Sequence, residues 1–542
     1  MIIQELKTIQ KVHGYLPVEE LQALSRRLQV PLYQLHSVAS FYPHFRLQPP
    51  PAIDIKVCND VACYLRGITD LHEIIRTAVN ALSLSNVHIT STSCLGQCDG
   101  APAVAINDQS YTEVSAQRIT GLLETLANGR TLRRQRLIAS QQIFACDPYD
   151  GHPKYDALRR LVQRGDAATV IAALKESGLR GMGGAGFPTG VKWELVRNTP
   201  GAEKYVICNA DESEPGTFKD RVILQTVPDL VLEGMAMAAL VVGAHKAILY
   251  IRHEYNRERD LLLRTLKQRQ EEGILGEYMM GSPHHVEFEV FESPGGYICG
   301  EETALLEALE DKRAEPRNKP PFPGTHGLFE KPTLINNVET FAMVPGIVLK
   351  GGTWWAEHGR NEAKGLKFLA VSGHIRHPGV YEVPLGITVA ELIERAGGMR
   401  HGRLLKAFAP GGASSGFLPA SMADIALDFR ALAAVGSMLG SGAVVAIAEG
   451  TCMLQLALNV TRFFRNESCG KCVPCRVGSE KIVLLLERIL AGQGSPDDLA
   501  LIEELSETMT LTSICGLGQA APNPILSVIK YFKDDIARYI TR

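Results

Sequence analysis

The stretch GMGGAGFPTGVKW, residues 181–193, is a glycine-rich loop that satisfies the pattern G-x-G-x-x-G. In an ordinary Rossmann fold this pattern follows a β-strand, but the residues just before it, AALKESGLR at 172–180, have the pattern of a helix. We therefore do not expect an ordinary Rossmann dinucleotide site here. A loop without side chains that leads into a helix can still admit a phosphate or a flat ring, and Lys192 follows closely enough to neutralise a phosphate.

Acidic and aromatic residues follow the glycine loop in three further segments. The first, NADESEPG at 209–216, comes directly after a predicted strand at 205–208. Its carboxylates are typical of a solvated turn, but they could equally accept hydrogen bonds from ribose, ribityl or amide groups. The second segment is GGYICGEE at 295–302, and the third is KPPFP at 319–323, with two asparagines at 336–337. Together they extend the candidate nucleotide site beyond the glycine loop.

The composition of the whole chain is that of a large multidomain protein without a strong charge. The chain has 542 residues, of which 45% are hydrophobic and 21% charged, and its formal net charge is −3 with a pI near 6.6. This length requires more than one core, and the charge gives no reason to expect nucleic acid. The N-terminus lacks the apolar region of a signal peptide, and the longest apolar run, 234–244, is too short to span a bilayer. We therefore expect a cytoplasmic protein with no membrane segment.

Eight of the twelve cysteines form two groups with the spacing of iron–sulfur ligands. The N-terminal group contains a C-x4-C pair that is looser than the usual zinc pair, which favours a [2Fe–2S] cluster. The C-terminal group is a triplet with one distant cysteine, whereas structural zinc usually takes two C-x2-C pairs, so this group favours a [4Fe–4S] cluster. A four-cysteine zinc site is the alternative in both cases. The predicted ligands are Cys58, Cys63, Cys94 and Cys98 for the first cluster and Cys469, Cys472, Cys475 and Cys515 for the second, and the isolated Cys146, Cys208, Cys299 and Cys452 are predicted to be small buried residues.

Hydrophobic patterns divide the chain into consecutive segments. Strands and cysteine loops alternate around a helix over 53–98, which predicts a compact α/β unit with its thiols at the strand ends. Helical and strand patterns alternate over 156–362, as they do in α/β folds. A small strand–strand–helix module follows, whose helix has a capping box at Thr388 and Glu391, and the chain is helical from about residue 446. The predicted boundaries are 1–127, a linker at 128–155, 156–362, 363–445 and 446–542.

Six ordered strings resemble the flavoprotein subunit of respiratory complex I and its relatives in NAD-reducing hydrogenases and formate dehydrogenases. They are GMGGAGFPTGVKW, CNADESEPGTFKDR, GGYICGEETAL, KPPFP, INNVET and ESCGKCVPCR. The N-terminal strings HGYLP, VASFY and CLGQC resemble the thioredoxin-like [2Fe–2S] subunit of the same enzymes. The resemblance implies an α/β multidomain protein with a thioredoxin-like [2Fe–2S] domain, a Rossmann-like domain that binds FMN and NAD, a ubiquitin-like (SLBB-type) module and a C-terminal helical bundle with [4Fe–4S].

The same resemblance implies, by motif position, which residues hold the cofactors. FMN would be held by Gly181, Gly183, Lys192, Asn209, Asp211, Glu212, Tyr297, Asn336 and Asn337. NAD would contact Gly184, Ala185, Phe187, Glu214, Glu301, Glu302, Lys319 and Phe322, with the two phenylalanines on either side of the adenine. Glu214 is the candidate catalytic group, as a residue that positions the nicotinamide. Clustered glutamates would repel a 2′-phosphate, which favours NAD over NADP.

The resemblance implies a diaphorase that reduces NAD+ reversibly. Single electrons from a partner subunit would pass through the [4Fe–4S] cluster to FMN, which transfers hydride. The strings at 410–429 and 513–532 are most similar to the beta subunit of NAD-dependent formate dehydrogenase, which is therefore our first expectation. Its partner would be a large alpha subunit with a molybdenum or tungsten pterin and further clusters, in a heterodimer or higher hetero-oligomer. The alternatives are the diaphorase subunit of a nickel–iron hydrogenase, a complex I-type NADH-oxidising subunit, and a non-catalytic nucleotide-binding scaffold held by zinc.

Overall fold

The computed structural model describes residues 2–67, 70–133 and 143–540. The predicted linker at 128–155 therefore lies partly outside the described residues, at 134–142.

The N-terminal part has helices followed by a small sheet. Its elements are α1 (Ile2–His13), α2 (Val18–Leu28), α3 (Leu32–Phe41), β1 (Ile53–Cys58), α4 (Val61–Leu65), α5 (Leu71–Ala81), β2 (Val87–Thr92), β3 (Val104–Ile106), β4 (Gln109–Tyr111) and α6 (Ala116–Ala127). The strand order is β2-β1-β3-β4, with β1 parallel to β2 and antiparallel to β3. Because β1 ends at Cys58 and β2 ends just before Cys94, both cysteine loops leave the same end of the sheet.

The central part is a parallel sheet with helices on its faces. Its elements are α7 (Asp156–Arg164), α8 (Ala167–Ser177), α9 (Thr189–Asn198), β5 (Tyr205–Ala210), α10 (Lys219–Thr226), α11 (Pro228–Val242), β6 (Lys246–Arg252), α12 (Asn256–Glu271), β7 (Glu287–Ser293), α13 (Glu302–Leu309), β8 (Thr333–Asn337), α14 (Val338–Lys350) and α15 (Gly352–Ala356). The strand order is β7-β6-β5-β8. The helix α8 precedes the glycine loop, as the sequence pattern predicted.

The third part is a mixed sheet with short helices. Its elements are β9 (Leu366–Gly373), β10 (Gly379–Pro384), α16 (Val389–Arg395), β11 (Leu405–Ala409), β12 (Leu418–Pro419), α17 (Phe429–Ala434) and β13 (Ala443–Ala448), with strand order β10-β9-β13-β11-β12. The predicted capping box starts α16, because Thr388 and Glu391 exchange both hydrogen bonds. The sheet is completed by β13, which returns from far along the chain to pair in parallel with β9.

The C-terminal part is a helical bundle. Its helices are α18 (Met453–Asn466), α19 (Val473–Arg488), α20 (Pro496–Thr512), α21 (Gly516–Ala520), α22 (Asn523–Tyr531) and α23 (Lys533–Ala537). The helix α20 begins with Pro496 behind the cap Ser495, because proline suits the first position of a helix.

These parts share their hydrophobic cores. One core extends from the cysteine loops of the first domain into the central domain, and another extends from the N-terminal helices past the central sheet to the C-terminal bundle. No single helix among the described residues is long and apolar enough to cross a bilayer; α10 and α11 meet the length and composition requirement only as a pair bent by 95°.

Candidate functional site

The central sheet brings the predicted cofactor segments together at the carboxyl ends of its strands. All neighbouring strands in the order β7-β6-β5-β8 are parallel, and Asn209 in β5 is paired with Asn337 in β8. The segments that follow β5, β7 and β8 therefore meet at one edge of the sheet. This edge is where ligands bind in open parallel sheets.

The glycine loop is closed by its own backbone and lies against this edge. The N–H of Gly181 donates to the carbonyl of Phe187 at 2.8 Å, and α9 begins directly afterwards. A Cβ at Gly183 would be 3.0 Å from Cβ of Asn337, whereas a Cβ at Gly184 would meet nothing within 4 Å. The loop therefore packs closely on the strand ends while leaving open space beside Gly184.

Lys192 supplies a cation at this loop. Its Nζ donates to the carbonyl of Ile335 in β8 at 3.0 Å, and burial lowers the pKa of its ammonium. Within the described part of the chain this ammonium has no salt-bridge partner. A half-buried ammonium that donates to a neutral carbonyl is poorly compensated, and it fits the phosphate of a flavin mononucleotide.

Asp211 is the least satisfied of the predicted site residues. Its Oδ2 accepts from the Ser213 hydroxyl at 3.1 Å, while its Oδ1 is buried and has no partner among the described residues. Burial raises the pKa of this carboxyl to about 7. The neighbouring Asn209 amide donates to the carbonyl of Gly300 at 2.8 Å, which holds the two acidic loops together. An unpaired buried oxygen at this place fits a hydroxyl or amide of the flavin, since such groups are normally hydrogen-bonded.

Three other predicted FMN residues use their side chains within the protein. The carboxylate of Glu212 accepts from the N–H groups of Asp220 and Arg221 at the start of α10 and from the Tyr255 hydroxyl. The oxygen of Asn336 accepts from the Trp193 indole at 3.0 Å.

Asn337 caps α14 and donates to Asp220 at 2.5 Å. The side chains of Glu212, Asn336 and Asn337 thus form hydrogen bonds within the protein that support the site. Their role as FMN ligands stays a prediction.

Two of the predicted NAD residues are exposed aromatic rings. Phe187 and Phe322 are 48% and 57% exposed, whereas phenylalanine rings in folded proteins are usually mostly buried. Lys319 contacts Glu301 at 2.9 Å and Glu302 at 3.1 Å. Glu301 also caps α13, so Glu302 is the freer of the two acids. Two open rings beside an acidic pair suit an adenine and its ribose hydroxyls.

Glu214 is fixed by a residue from the third domain that the sequence did not single out. One carboxylate oxygen of Glu214 accepts from both the backbone N–H, at 2.9 Å, and the hydroxyl of Ser414. The carbonyl of Ser414 in turn accepts from the Asn523 amide at 2.8 Å, in the C-terminal bundle. The same loop contains Gly412, where a Cβ would be 2.9 Å from the Glu214 carboxylate. Ser414 thus connects three parts of the molecule at the predicted nicotinamide side.

The predicted [2Fe–2S] cysteines form one buried group of thiols. Cys58 adjoins Cys63, the sulfurs of Cys58 and Cys94 lie within 4.8 Å of each other, and the Sγ atoms of Cys94 and Cys98 are 3.3 Å apart. Gly96 N–H donates to the Cys94 sulfur. All of these thiols are buried. Four free, buried thiols that face one another suit a metal–sulfide cluster, and the chain fits that group here.

The predicted [4Fe–4S] cysteines also meet, although they lie nearer the surface. Cys475 is near enough to Cys469, Cys472 and Cys515 for their charges to raise the pKa of its thiol. Burial raises the pKa of Cys475 to about 12 and of Cys515 to about 11, which favours the neutral thiols when no cation is bound. A Cβ at Gly518 would be 2.9 Å from Cβ of Cys475, so the distant segment can reach the triplet only with glycine there.

The isolated cysteines are mostly buried, as predicted, with one difference. Cys146, Cys208 and Cys299 are buried, whereas Cys452 is half-buried with its sulfur 3.7 Å from the Tyr539 hydroxyl. Cys452 is the N-cap residue of α18.

Models of four protein families match the chain in order. Residues 1–127 match the thioredoxin-like [2Fe-2S] ferredoxin, 174–346 the Nuo51 FMN-binding domain, 368–418 the SLBB domain, and 455–539 the NADH-ubiquinone oxidoreductase-F iron-sulfur binding region. The F 2 subunit of the NADH-quinone oxidoreductase of Rhizobium meliloti is 44% identical over 393 residues, which are 72% of this chain and 93% of that protein. The chain belongs to the NADH-quinone oxidoreductase-F family.

Other members of the oxidoreductase-F family extend this comparison. The NADP-reducing hydrogenase subunit HndC of Solidesulfovibrio fructosivorans is 40% identical over 421 residues, covering 77% of this chain and 86% of HndC. A crystal structure of an NAD+-reducing [NiFe]-hydrogenase in the H2-reduced state aligns with a TM-score of 0.89 and 31% identity, covering 99% of this chain and 92% of that chain. This oxidoreductase-F family protein is thus an NAD-linked flavin diaphorase subunit with FMN, [2Fe–2S] and [4Fe–4S] cofactors and a multidomain α/β fold.

Proposed function

We propose that this chain reduces NAD+ with single electrons supplied by a separate substrate-oxidising subunit. The observation that supports this proposal most is that both cysteine groups lie close to the carboxyl-terminal edge of the central sheet, where the predicted FMN residues meet. We call this edge the flavin edge. The N–H of Tyr297 donates at 2.7 Å to Glu467, which lies two residues before Cys469. Arg252 donates to the carbonyls of both Glu212 and Cys94. One residue therefore separates the flavin edge from each thiol group.

The protein residues bind and align in this proposal. FMN, when bound, can exchange both a hydride and single electrons. NAD exchanges only a hydride, and an iron–sulfur cluster exchanges only single electrons. Lys192 would hold its phosphate, Asp211 a hydroxyl or amide, and the four-cysteine groups the two clusters. Glu214, fixed by Ser414, would position the nicotinamide. No side chain is assigned as a general acid or base, because hydride transfer requires none.

Two electron suppliers are supported by different observations. The strings at 410–429 and 513–532 favour a formate dehydrogenase alpha subunit with a molybdenum or tungsten pterin. The fold comparison favours a nickel–iron hydrogenase, because a chain of that enzyme aligns with almost the whole of this one, including the N-terminal [2Fe–2S] domain. The formate assignment is therefore our sequence-based proposal, and the hydrogenase is the alternative that the comparisons support better.

The partner that copurifies with the tagged full-length chain tests both assignments. We expect a large subunit with molybdenum or tungsten, and NAD+ reduction by the complex with formate but not with hydrogen. A nickel-containing partner and NAD+ reduction with hydrogen would establish the alternative instead. A complex that oxidises NADH with a quinone but uses neither formate nor hydrogen would contradict both and support a complex I-type assembly.

A further inference from the structure

Arg252 lies between the predicted FMN site and the predicted [2Fe–2S] site. It belongs to neither of the sequence motifs that predicted these sites. It is the last residue of β6, and its side chain is 2% exposed. One end of its guanidinium donates to the carbonyl of Glu212 in the acidic loop. The other end donates to the carbonyl of Cys94, a predicted [2Fe–2S] ligand, at 2.7 Å. The central-domain sheet thus places a permanent positive charge against the cysteine loop of the first domain.

The surroundings of Arg252 hold this charge in one place. Its Nε donates to the Glu254 carboxylate at 2.8 Å, and its guanidinium lies 5.1 Å from the centre of the Tyr255 ring. The same ring packs against Gly96, where a Cβ would be 2.6 Å from Tyr255. Burial acts to raise the pKa of Glu254, but the charge of Arg252 holds it below its usual value. Arg252 and Glu254 therefore form a fixed ion pair whose positive end points at the cysteine loop.

A charge in this position acts on any group at the thiols that changes its own charge. Reduction adds one negative charge to an iron–sulfur cluster, and its potential depends on nearby charges, hydrogen bonds and burial. In a buried site the interaction between two charges is much stronger than in water. A positive charge beside Cys94 stabilises the reduced form, and a negative charge at Glu254 opposes it.

We propose that Arg252 is a positioning residue that raises the reduction potential of the [2Fe–2S] centre, with Glu254 acting in the opposite direction. The proposal rests on the assignment of Cys58, Cys63, Cys94 and Cys98 as the ligands of that centre. Arg252 contacts both the acidic loop at Glu212 and the cysteine loop at Cys94. The charge that holds the acidic loop therefore also affects how readily the cluster accepts an electron.

The test is an anaerobic redox titration of the purified full-length protein, followed by electron paramagnetic resonance. Arg252→Gln should make the [2Fe–2S] centre harder to reduce, by about tenfold in the ratio of reduced to oxidised centre at a fixed potential, or about 59 mV for one electron. Glu254→Gln should shift the ratio the other way. Arg252→Lys should restore part of the shift, and the [4Fe–4S] potential should stay unchanged in all variants as the internal reference.

The outcomes separate this inference from the ligand assignment. A wild-type protein without a [2Fe–2S] signal would overturn the ligands, and with them the proposal. A wild-type signal with unchanged potentials in the variants, or shifts of the same sign for Arg252→Gln and Glu254→Gln, would overturn the role of Arg252 alone. If Arg252→Gln does not fold, the upward shift expected for Glu254→Gln and the intermediate value expected for Arg252→Lys still decide the matter.

Discussion

At Lys192 and Asp211, two ionisable side chains, one half-buried and one buried, have few partners among the described residues. Lys192 donates to a single carbonyl, and one oxygen of Asp211 has no partner among the described residues. Such groups are costly in a protein interior unless a ligand satisfies them. The two residues therefore carry the most specific information about what binds at the sheet edge.

Replacing Lys192 by methionine should weaken the retention of FMN. The variant keeps the apolar stem but loses a charge-assisted hydrogen bond to the phosphate, which we expect to weaken binding by roughly tenfold. The measurement is the flavin released per chain after gel filtration and heat denaturation. Lys175→Met is the matched control, because Lys175 lies on the neighbouring helix α8 and pairs with Glu194 at the surface. Equal flavin loss in both variants, or none in Lys192→Met, would contradict the assignment.

Glu233 should make the stability of the protein depend on pH. It is fully buried in α11, accepts from the Tyr149 hydroxyl and the Leu158 N–H, and burial raises its pKa from 4.5 to about 7. Because the folded state holds this proton more tightly, its contribution is complete below pH 4.5 and is lost as the pH rises through 7. The loss corresponds to about 3 kcal/mol at most.

Glu233→Gln should remove this dependence. The variant should gain thermal stability relative to the wild type at pH 8 but not at pH 4.5, which differential scanning fluorimetry can measure. Glu277→Gln, at an exposed position, is the control and should change neither value. A stability difference that is the same at both pH values would show that Glu233 does not titrate in this range.

Among the elements, the loop between Cys94 and Cys98 depends on one glycine. Gly96 has φ +69°, and a Cβ there would lie 2.6 Å from the Tyr255 ring, which belongs to the central domain. Gly96→Ala should displace the loop and reduce the [2Fe–2S] content strongly while FMN and [4Fe–4S] contents stay the same. Iron analysis and electron paramagnetic resonance give the two contents separately.

Gly129→Ala separates backbone strain from steric contact in this comparison. Gly129 has φ +68°, almost the same as Gly96, but a Cβ there would meet nothing within 4 Å. Its substitution introduces similar strain, of about 1 kcal/mol, without displacing a cysteine. A similar loss of cluster in both variants would attribute the effect to strain and not to the packing of Tyr255.

The loop at 410–416 gives the third domain a direct effect on the nucleotide site. Ser414→Ala removes one donor to Glu214 and should raise the KM for NADH by roughly tenfold, because a lost hydrogen bond to a charged group costs about 1.5 kcal/mol, while kcat changes little. Ser437→Ala is the control, since Ser437 donates to the carbonyl of Ser415 in the same loop. A fall in kcat with an unchanged KM would contradict the positioning role.

Local patterns in the sequence predicted many elements correctly because short-range chemistry determines them. The strand into Cys58 follows from alternating apolar residues, and the starts of α16 and α20 follow from capping residues. The pairing of β13 with β9 could not be read in this way, since it joins residues more than seventy positions apart. Its partner is chosen by the packing of the whole module, and nothing local to either strand encodes that choice.

In the candidate site too, local sequence spacing predicted some features, while others depend on contacts between distant parts of the molecule. Spacing predicted both cysteine groups, and the structure brings each group together. Spacing could not predict Arg252, Ser414 or Glu467, because each is a single residue without a motif that reaches the site from another part of the chain. Likewise, the resemblance implied Glu212 as an FMN residue but did not show that its carboxylate caps α10.

The account as a whole requires that one chain passes electrons between NADH and two different clusters. The most direct measurement is anaerobic reduction of the purified full-length protein with NADH, followed by electron paramagnetic resonance, iron analysis and flavin analysis. We predict one FMN and roughly six iron atoms per chain, four in one cluster and two in the other, with the [4Fe–4S] signal lost selectively in Cys472→Ala. A colourless protein with zinc at the thiols, or clusters that NADH leaves oxidised although FMN is bound, would contradict it.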